Sequence, residues 1–407
     1  MQHPAYHIFE QTPESLAAWC EKHRMPAYRA KQILEWVYQK GVADPGAMSN
    51  LSKLDRERLS DPREMTFLSG RVLAHQSATD GVQKLLIEWD DFARDAGPKD
   101  TGPKEASPGP SGIGLPVIET RNGGEPRAGS DRQTECVMIP SQDTDADHPE
   151  PSRFTACISS QVGCPVGCRF CASGLGGLDA NLSAGRIVEQ VWRLARLPRV
   201  RRITNVVFMG MGEPLSNLQN VIPAIRTITA LWGLGISARK VTVSTVGLPK
   251  AIDKLAEQLD LPVTLALSLH APNDELRRQL IPWAEYTTIK DLLAACQRWF
   301  DKTGREITLE YTLLRGVNDR KEHAEQLAQV AKTLRANVNL IRYNEVAGVP
   351  FGRPESADVT AFQEVLRARH INAHIRASRG RDIAAACGQL RHESRPSNSP
   401  AGAASAR

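Results

Sequence analysis

The segment Cys164-Pro165-Val166-Gly167-Cys168-Arg169-Phe170-Cys171 sets three thiols at spacings of four and three residues on a chain interrupted by proline and glycine. Thiolates are soft ligands suited to iron–sulfur centres, and three of them can hold three irons of a 4Fe-4S cluster. The fourth iron then stays open. An open iron can chelate the amino and carboxylate groups of S-adenosylmethionine (SAM) and pass an electron to its sulfonium, so the loop points to a radical enzyme. Two other readings stand beside it: a three-Cys zinc site completed by a histidine, and a disulfide with a spare thiol. Zinc loops favour two short-spaced Cys pairs far apart in sequence, and no second pair exists here.

Other residues could complete such a site. Gly210-Met211-Gly212-Glu213-Pro214 lacks the third glycine of a dinucleotide fingerprint, but it offers close backbone approach and a carboxylate for an ammonium group. Ser244, Ser268 and Asn344 can hydrogen-bond ribose hydroxyls or a carboxylate, or can merely cap the next helix. His270 reads as a base, a ligand or a wall residue. Cys387 lies among Ala and Gly with arginines nearby, a setting that favours an accessible thiolate, and Cys157 is its natural thiol partner. The alternative for both is a buried, inert thiol, which is also the expectation for Cys20, Cys136 and Cys296.

The elements that must position these groups follow from periodicity. From Phe154 onward, apolar runs at Thr155–Ile158, Asn205–Met209, Lys240–Ser244, Val263–Leu269, Ile307–Leu313 and Val338–Arg342 alternate with helical segments. Six βα units predict an α/β fold, a partial six-strand (β/α) barrel, with its ligand groups at the C-terminal strand ends. Before it, residues 1–65 read as a small helical domain whose first helix is capped by Thr12 and whose second stops at Gly41. Residues 66–153 read as a β extension with a hairpin around Asp80-Gly81 and a disordered insertion near 95–132. A polar loop is expected at Asp143–Ser152, the barrel at 154–392, and a disordered tail at 393–407.

The 407-residue chain carries a net charge of +5 and an isoelectric point near 8.8. That is too mild to argue for nucleic acid by itself. Arginines crowd two segments, at 193–202 and at 367–381, where they can neutralise phosphates or form a solvated face. No apolar run is long enough to cross a bilayer, and the start lacks the layout of a secretory signal, so a cytoplasmic location is expected.

Together these residues resemble the RlmN family of radical SAM RNA methyltransferases. The resemblance rests on Tyr28-Arg29-Ala30-Lys31-Gln32-Ile33-Leu34-Glu35-Trp36, on Cys157 to Cys164, on Phe208 to Pro214, on Leu267 to Ala271 and on Ala386-Cys387-Gly388-Gln389-Leu390. It implies methylation of C2 of an adenosine in 23S rRNA and in tRNA. It also implies one 4Fe-4S cluster on Cys164, Cys168 and Cys171 and two SAM molecules per turnover. SAM is then lined by Gly212, Glu213, Ser244, Ser268, Leu269, His270 and Asn344. Cys387 becomes the methyl carrier, Cys157 the thiol that resolves a protein–RNA crosslink through a transient disulfide, and Glu135 a proton acceptor. An electron donor such as flavodoxin or ferredoxin, a monomeric state and no membrane partner complete the implied picture. A related class that methylates C8 of the same adenosine, and a non-catalytic RNA-binding protein with a structural zinc loop, are the alternatives.

Overall fold

The computed structural model describes residues 1–91, 132–143 and 150–390. The expected insertion, apart from Arg132, most of the polar loop and the expected tail lie outside the described residues.

Three short helices open the chain: α1 (Pro13–Lys22), α2 (Arg29–Leu34) and α3 (Lys53–Leu59). Thr12 caps α1 as its sequence predicts: its hydroxyl accepts the Ser15 N–H, and the Ser15 hydroxyl accepts the Thr12 N–H. The second helix runs on through a π-helical turn, Glu35–Gln39, and the chain turns away at Gly41, whose φ of 73° suits glycine. Leu16, Trp19, Ile33 and Val37 form the buried face.

The hairpin is present as β1 (Gly70–Ser77) and β2 (Gln83–Trp89), followed by β3 (Gln133–Pro140) and β4 (Phe154–Cys157). Then come a small ribbon, β5 (Gln161–Gly163) with β6 (Leu178–Asn181), and α4 (Ala184–Leu194). The repeating units continue with β7 (Asn205–Phe208), α5 (Leu218–Thr229), β8 (Val241–Thr245), α6 (Pro249–Gln258), β9 (Thr264–Ser268) and α7 (Asp274–Leu280). They close with α8 (Ile289–Thr303), β10 (Ile307–Leu313), α9 (Lys321–Lys332), β11 (Ala336–Arg342), α10 (Ser356–Ala368) and β12 (Ala373–Arg376).

One sheet holds ten of these strands in the order β1-β2-β3-β4-β7-β8-β9-β10-β11-β12. All six expected parallel strands are there, and β12 adds a seventh, parallel to β11 with Ile341 opposite Arg376. That strand is four residues long and largely exposed, so no apolar run announces it. The edge strands β1 and β12 do not pair among the described residues, and the barrel stays open. Helices cover the outer face, and no helix of the described residues is long and apolar enough to cross a membrane.

Most of the crowded arginines are spent inside the fold. Arg193 binds Glu189, Arg196 lies over the Trp192 ring and donates to the Gly41 carbonyl, and Arg202 donates to the Gly235 carbonyl. In the second segment Arg369 pairs with Glu325 and Arg379 with Asp80. The two runs are therefore mainly struts between elements rather than free phosphate-binding stripes.

Candidate active site

The cluster loop hangs between β5 and β6, and the ribbon fixes its ends. Gly163 has a φ of 74°, and a Cβ there would sit 2.0 Å from the Gly177 carbonyl oxygen, so only glycine fits. The Cys164 N–H donates to that same carbonyl at 2.8 Å. All three loop thiols line one cavity at the C-terminal ends of the parallel strands, with Gly212, Glu213, Ser244, Ser268, His270 and Cys387. Polar groups thus converge on one mouth, as the barrel rule requires.

Each wall group has a distinct setting. Glu213 is buried, with one carboxylate oxygen accepting the Leu215 N–H at 3.0 Å and the other the Val246 N–H at 2.8 Å. Burial outweighs those bonds and pushes its carboxyl up to about 7. Ser244 and Ser268 share a hydrogen bond of 3.2 Å. His270 has a φ of 56°, and its Nδ1 accepts the Thr312 N–H at 3.1 Å. The neutral ring therefore carries its proton on Nε2. Burial, with the Arg277 guanidinium second, lowers its pKa to about 3, so it is a neutral wall donor and no base.

Leu269 and Asn344 stand apart from this cavity. The Leu269 side chain is buried, its N–H donates to Glu310 and its carbonyl accepts Arg277, so it shapes the wall from behind. Asn344 lines a smaller adjoining cavity that also contains Cys157. Met209, Ile341, Arg376 and Cys387 line both cavities. Cys387 thus sits on the wall shared by the loop thiols and Cys157.

The Cys387 segment is held from several sides. Its carbonyl accepts the Asn344 side chain at 3.2 Å, the Gly388 carbonyl accepts the Ala172 N–H at 2.8 Å, and the Leu390 carbonyl accepts the Ser173 hydroxyl. Glu135 lies outside both cavities, on β3, in a 2.6 Å ion pair with Lys84. Lys84 also donates to the Ala384 carbonyl, which links Glu135 to the Cys387 segment. All eight cysteines are free thiols. Cys20, Cys136 and Cys296 are buried, and desolvation raises their thiols, which suits inert core residues.

Three polar wall residues were given no site role from the sequence. Glu310 keeps Oε1 on Asn339 at 3.0 Å and leaves Oε2 buried without a partner. The buried Tyr343 hydroxyl is also unpartnered. Arg376 reaches both cavities, and its guanidinium is held charged chiefly by Cys387. A glutamate inside the run Ile307–Leu313 was the available signal, because a charged group in a core strand demands a partner.

These residues fit an iron–sulfur cluster with SAM. All three loop thiols line one cavity, and in a cluster each thiolate takes its own iron. Behind Cys168 the buried Arg277 has an unpartnered Nη1, and its charge works against the burial that raises the Cys168 thiol. Such a cation complements an anionic cluster. The orphan atoms of Glu310 and Tyr343 offer an acceptor and a donor to a polar ligand.

Fold and thiol loop define a radical SAM protein, and the radical SAM superfamily model matches residues 158–328. Residues 6–65 match the ribosomal RNA large subunit methyltransferase N-terminal domain. The protein named "Probable dual-specificity RNA methyltransferase RlmN" in Rhodopirellula baltica is 38% identical over 95% of this chain and 90% of its own length. The protein of the same name in Salinibacter ruber is 40% identical over 91% and 90%. A crystal structure of a radical SAM methyltransferase from Sphaerobacter thermophilus matches 95% of this chain and all of that one, at 37% identity and a TM-score of 0.80. The chain belongs to the RlmN family. Its cofactors are a 4Fe-4S cluster and SAM.

Proposed function

We propose that the chain methylates C2 of an adenosine in 23S rRNA and in tRNA, with Cys387 carrying the methyl group. The single observation that carries this reading is the position of Cys387 on the wall between the loop thiols and Cys157. C2 of adenine is electron-poor and has no lone pair to attack a sulfonium, so direct methyl transfer fails and a radical route is needed. Bound at this site, the cluster and SAM supply a methyl group and a hydrogen-abstracting radical.

The chain's own residues do the rest. Cys164, Cys168 and Cys171 hold the cluster. Glu213 takes the SAM ammonium, and Ser244, Ser268 and the Nε2–H of His270 hydrogen-bond its polar atoms. Asn344 holds the Cys387 backbone, and so positions the carrier beside the ligand. Cys387 accepts the methyl group and presents it to the base, Cys157 releases the product by forming a disulfide with Cys387, and Glu135 takes the proton from C2. An electron donor such as flavodoxin or ferredoxin supplies electrons to a monomer in the cytoplasm. The RlmN name of the relatives favours C2 over C8.

Two measurements test the reading. Anaerobically purified, iron-loaded protein should carry a methyl group on Cys387 by peptide mass spectrometry, and 23S rRNA treated with it should yield 2-methyladenosine. Loaded protein that never methylates Cys387 and yields no 2-methyladenosine overturns the proposal, and 8-methyladenosine in its place assigns the sibling reaction.

A further inference from the structure

We propose that Arg353 is a positioning residue for the methyl carrier: it fixes the sense of the Asn344 amide, so that the N–H of that amide meets the Cys387 carbonyl. The inference deepens the reading above, in which Cys387 carries the methyl group, and rests on it.

Asn344 lies just past β11 and is 1% exposed. Its Nδ2 donates to the Cys387 carbonyl at 3.2 Å, and its Oδ1 accepts from Arg353 Nη1 at 2.9 Å. The two ends of a primary amide are nearly equal in size and opposite in hydrogen-bonding sense. Turned over, this one would set its oxygen against the Cys387 carbonyl, acceptor against acceptor, and the buried pair would lose its bond. A guanidinium has donors only. Arg353 therefore admits the Asn344 oxygen and refuses its NH2. The sense that puts a donor on Cys387 is the one left.

Arg353 is itself held in place. Its Nη1 also donates to the Tyr343 carbonyl at 2.6 Å, and its Nη2 donates to the Ser378 hydroxyl at 3.3 Å. The residues on either side are tied as well: the Gly352 carbonyl accepts the Arg315 N–H at 3.0 Å, and the Pro354 carbonyl accepts the Arg342 Nε–H at 2.7 Å. Burial, and then the nearby Arg381 and Arg342, lower the Arg353 pKa to about 10 against a smaller opposing pull from Glu345, which leaves it cationic at neutral pH. It lines neither the cavity of the loop thiols nor that of Cys157. It therefore acts on the carrier through Asn344, and through Ser378 on the approach to Cys387. A further tie runs from the Gln389 side chain to the Glu345 carbonyl at 3.0 Å. The loop between β11 and α10 is thus a receptor for the Cys387 segment, and Arg353 decides which end of Asn344 that segment meets.

The test uses iron-loaded, full-length protein and reads hydrogen exchange by mass spectrometry in a peptide covering residues 384–390, where the Ala385 and Gln389 amides donate to the Gly380 and Ala386 carbonyls. Arg353→Met keeps the bulk and removes every donor. Exchange in that peptide should quicken about fivefold to tenfold, and kcat for RNA methylation should fall about 10- to 100-fold. KM for SAM should stay within about twofold, since no cavity wall is touched. Arg353→Lys, which still donates to the Asn344 oxygen, should restore part of both losses. Asn344→Asp is the second probe and serves if Arg353→Met misfolds. Its carboxylate pairs with Arg353 but offers Cys387 no donor at neutral pH, so the melting temperature should hold while exchange at 384–390 quickens and kcat falls. Exchange or kcat left unchanged in both variants overturns the proposal. So does faster exchange that spreads over β11 and α10 with no rescue by Arg353→Lys, because Arg353 is then a strut of the fold. If exchange changes as stated but wild-type enzyme makes no methylated RNA, the hold of Arg353 and Asn344 on the segment stands and the functional reading falls.

Discussion

Asp80, in the β1–β2 turn, holds the Cys387 segment from 300 residues away. Its Oδ2 accepts the Arg379 Nε–H at 2.8 Å and the Gly380 N–H at 2.9 Å, and its carbonyl accepts a second Arg379 donor at 2.6 Å. Thr79 adds a bond from its N–H to the Asp382 carboxylate. The β extension is therefore a clamp on the methyl-carrying loop.

Breaking this clamp should cost activity more than stability. Asp80→Ala removes charge-assisted bonds worth roughly 2 kcal/mol, and small misplacements of a reacting group cost on the order of 100-fold in rate. Methylation measured by nucleoside analysis should fall about 10- to 100-fold with iron content unchanged. The clamp is also pH-dependent. Partial burial raises the Asp80 carboxyl, but the Gly380 N–H and Arg379 outweigh it and hold it below its usual value. A depressed carboxyl stabilises the fold above the unfolded value of about 3.9, and that contribution is lost as pH falls through the folded value. Wild type should thus lose stability more steeply than Asp80→Ala in acid melts.

What the sequence revealed depended on how local each signal was. The Cys164–Cys171 loop, the Thr12 cap and the six apolar runs are short-range patterns, and all are in place. The partners of Cys387 were invisible because Asp80, Lys84, Ala172 and Asn344 meet it only through the fold. The arginines at 193–202 looked like a basic patch, yet a guanidinium that caps a carbonyl and one that awaits a phosphate are identical in sequence. Strand β12 was missed because it is exposed and brief, and with it the inward aim of Arg376.

The cluster loop should be intolerant of a single methyl group at Gly163. A Cβ 2.0 Å from the Gly177 oxygen, on a backbone with φ of 74°, combines strain with overlap. The cost is about 2–4 kcal/mol at this position, and it falls on the segment that carries all three ligands. Gly163→Ala should bind markedly less than one cluster per chain after anaerobic reconstitution, assayed by iron and sulfide content. Gly176→Ala is the control, since its Cβ would meet nothing within 4 Å; it should load normally.

SAM affinity should depend on pH through Glu213. Burial pushes this carboxyl up to about 7, so below that value the empty site holds a neutral acid, which is a poor partner for an ammonium. Calorimetric affinity for SAM should rise about tenfold per pH unit toward 7 and then level off. Glu213→Gln should bind about 10- to 100-fold more weakly at pH 8, with the slope abolished. A wild-type affinity flat from about pH 5 to about pH 8 would show that Glu213 does not meet the ammonium.

Arg376 should set the pace of product release. Burial, and then the neighbouring Cys387, push the Cys157 thiol up to about 12, while Arg376 pulls it down. Below such a value the thiolate fraction rises tenfold per pH unit, and the thiolate is the nucleophile. The protein–RNA crosslink should therefore decay faster with rising pH, by up to tenfold per unit between about pH 7 and about pH 9. Arg376→Met removes the one cation lining both cavities. It should slow the decay about 10- to 100-fold at each pH without changing the slope, and Arg376→Lys should restore part of the rate. Cys157→Ala should hold the crosslink at every pH. Gel-resolved crosslink lifetimes separate these cases, because a merely structural role for Arg376 would lower crosslink formation and leave its decay unaltered.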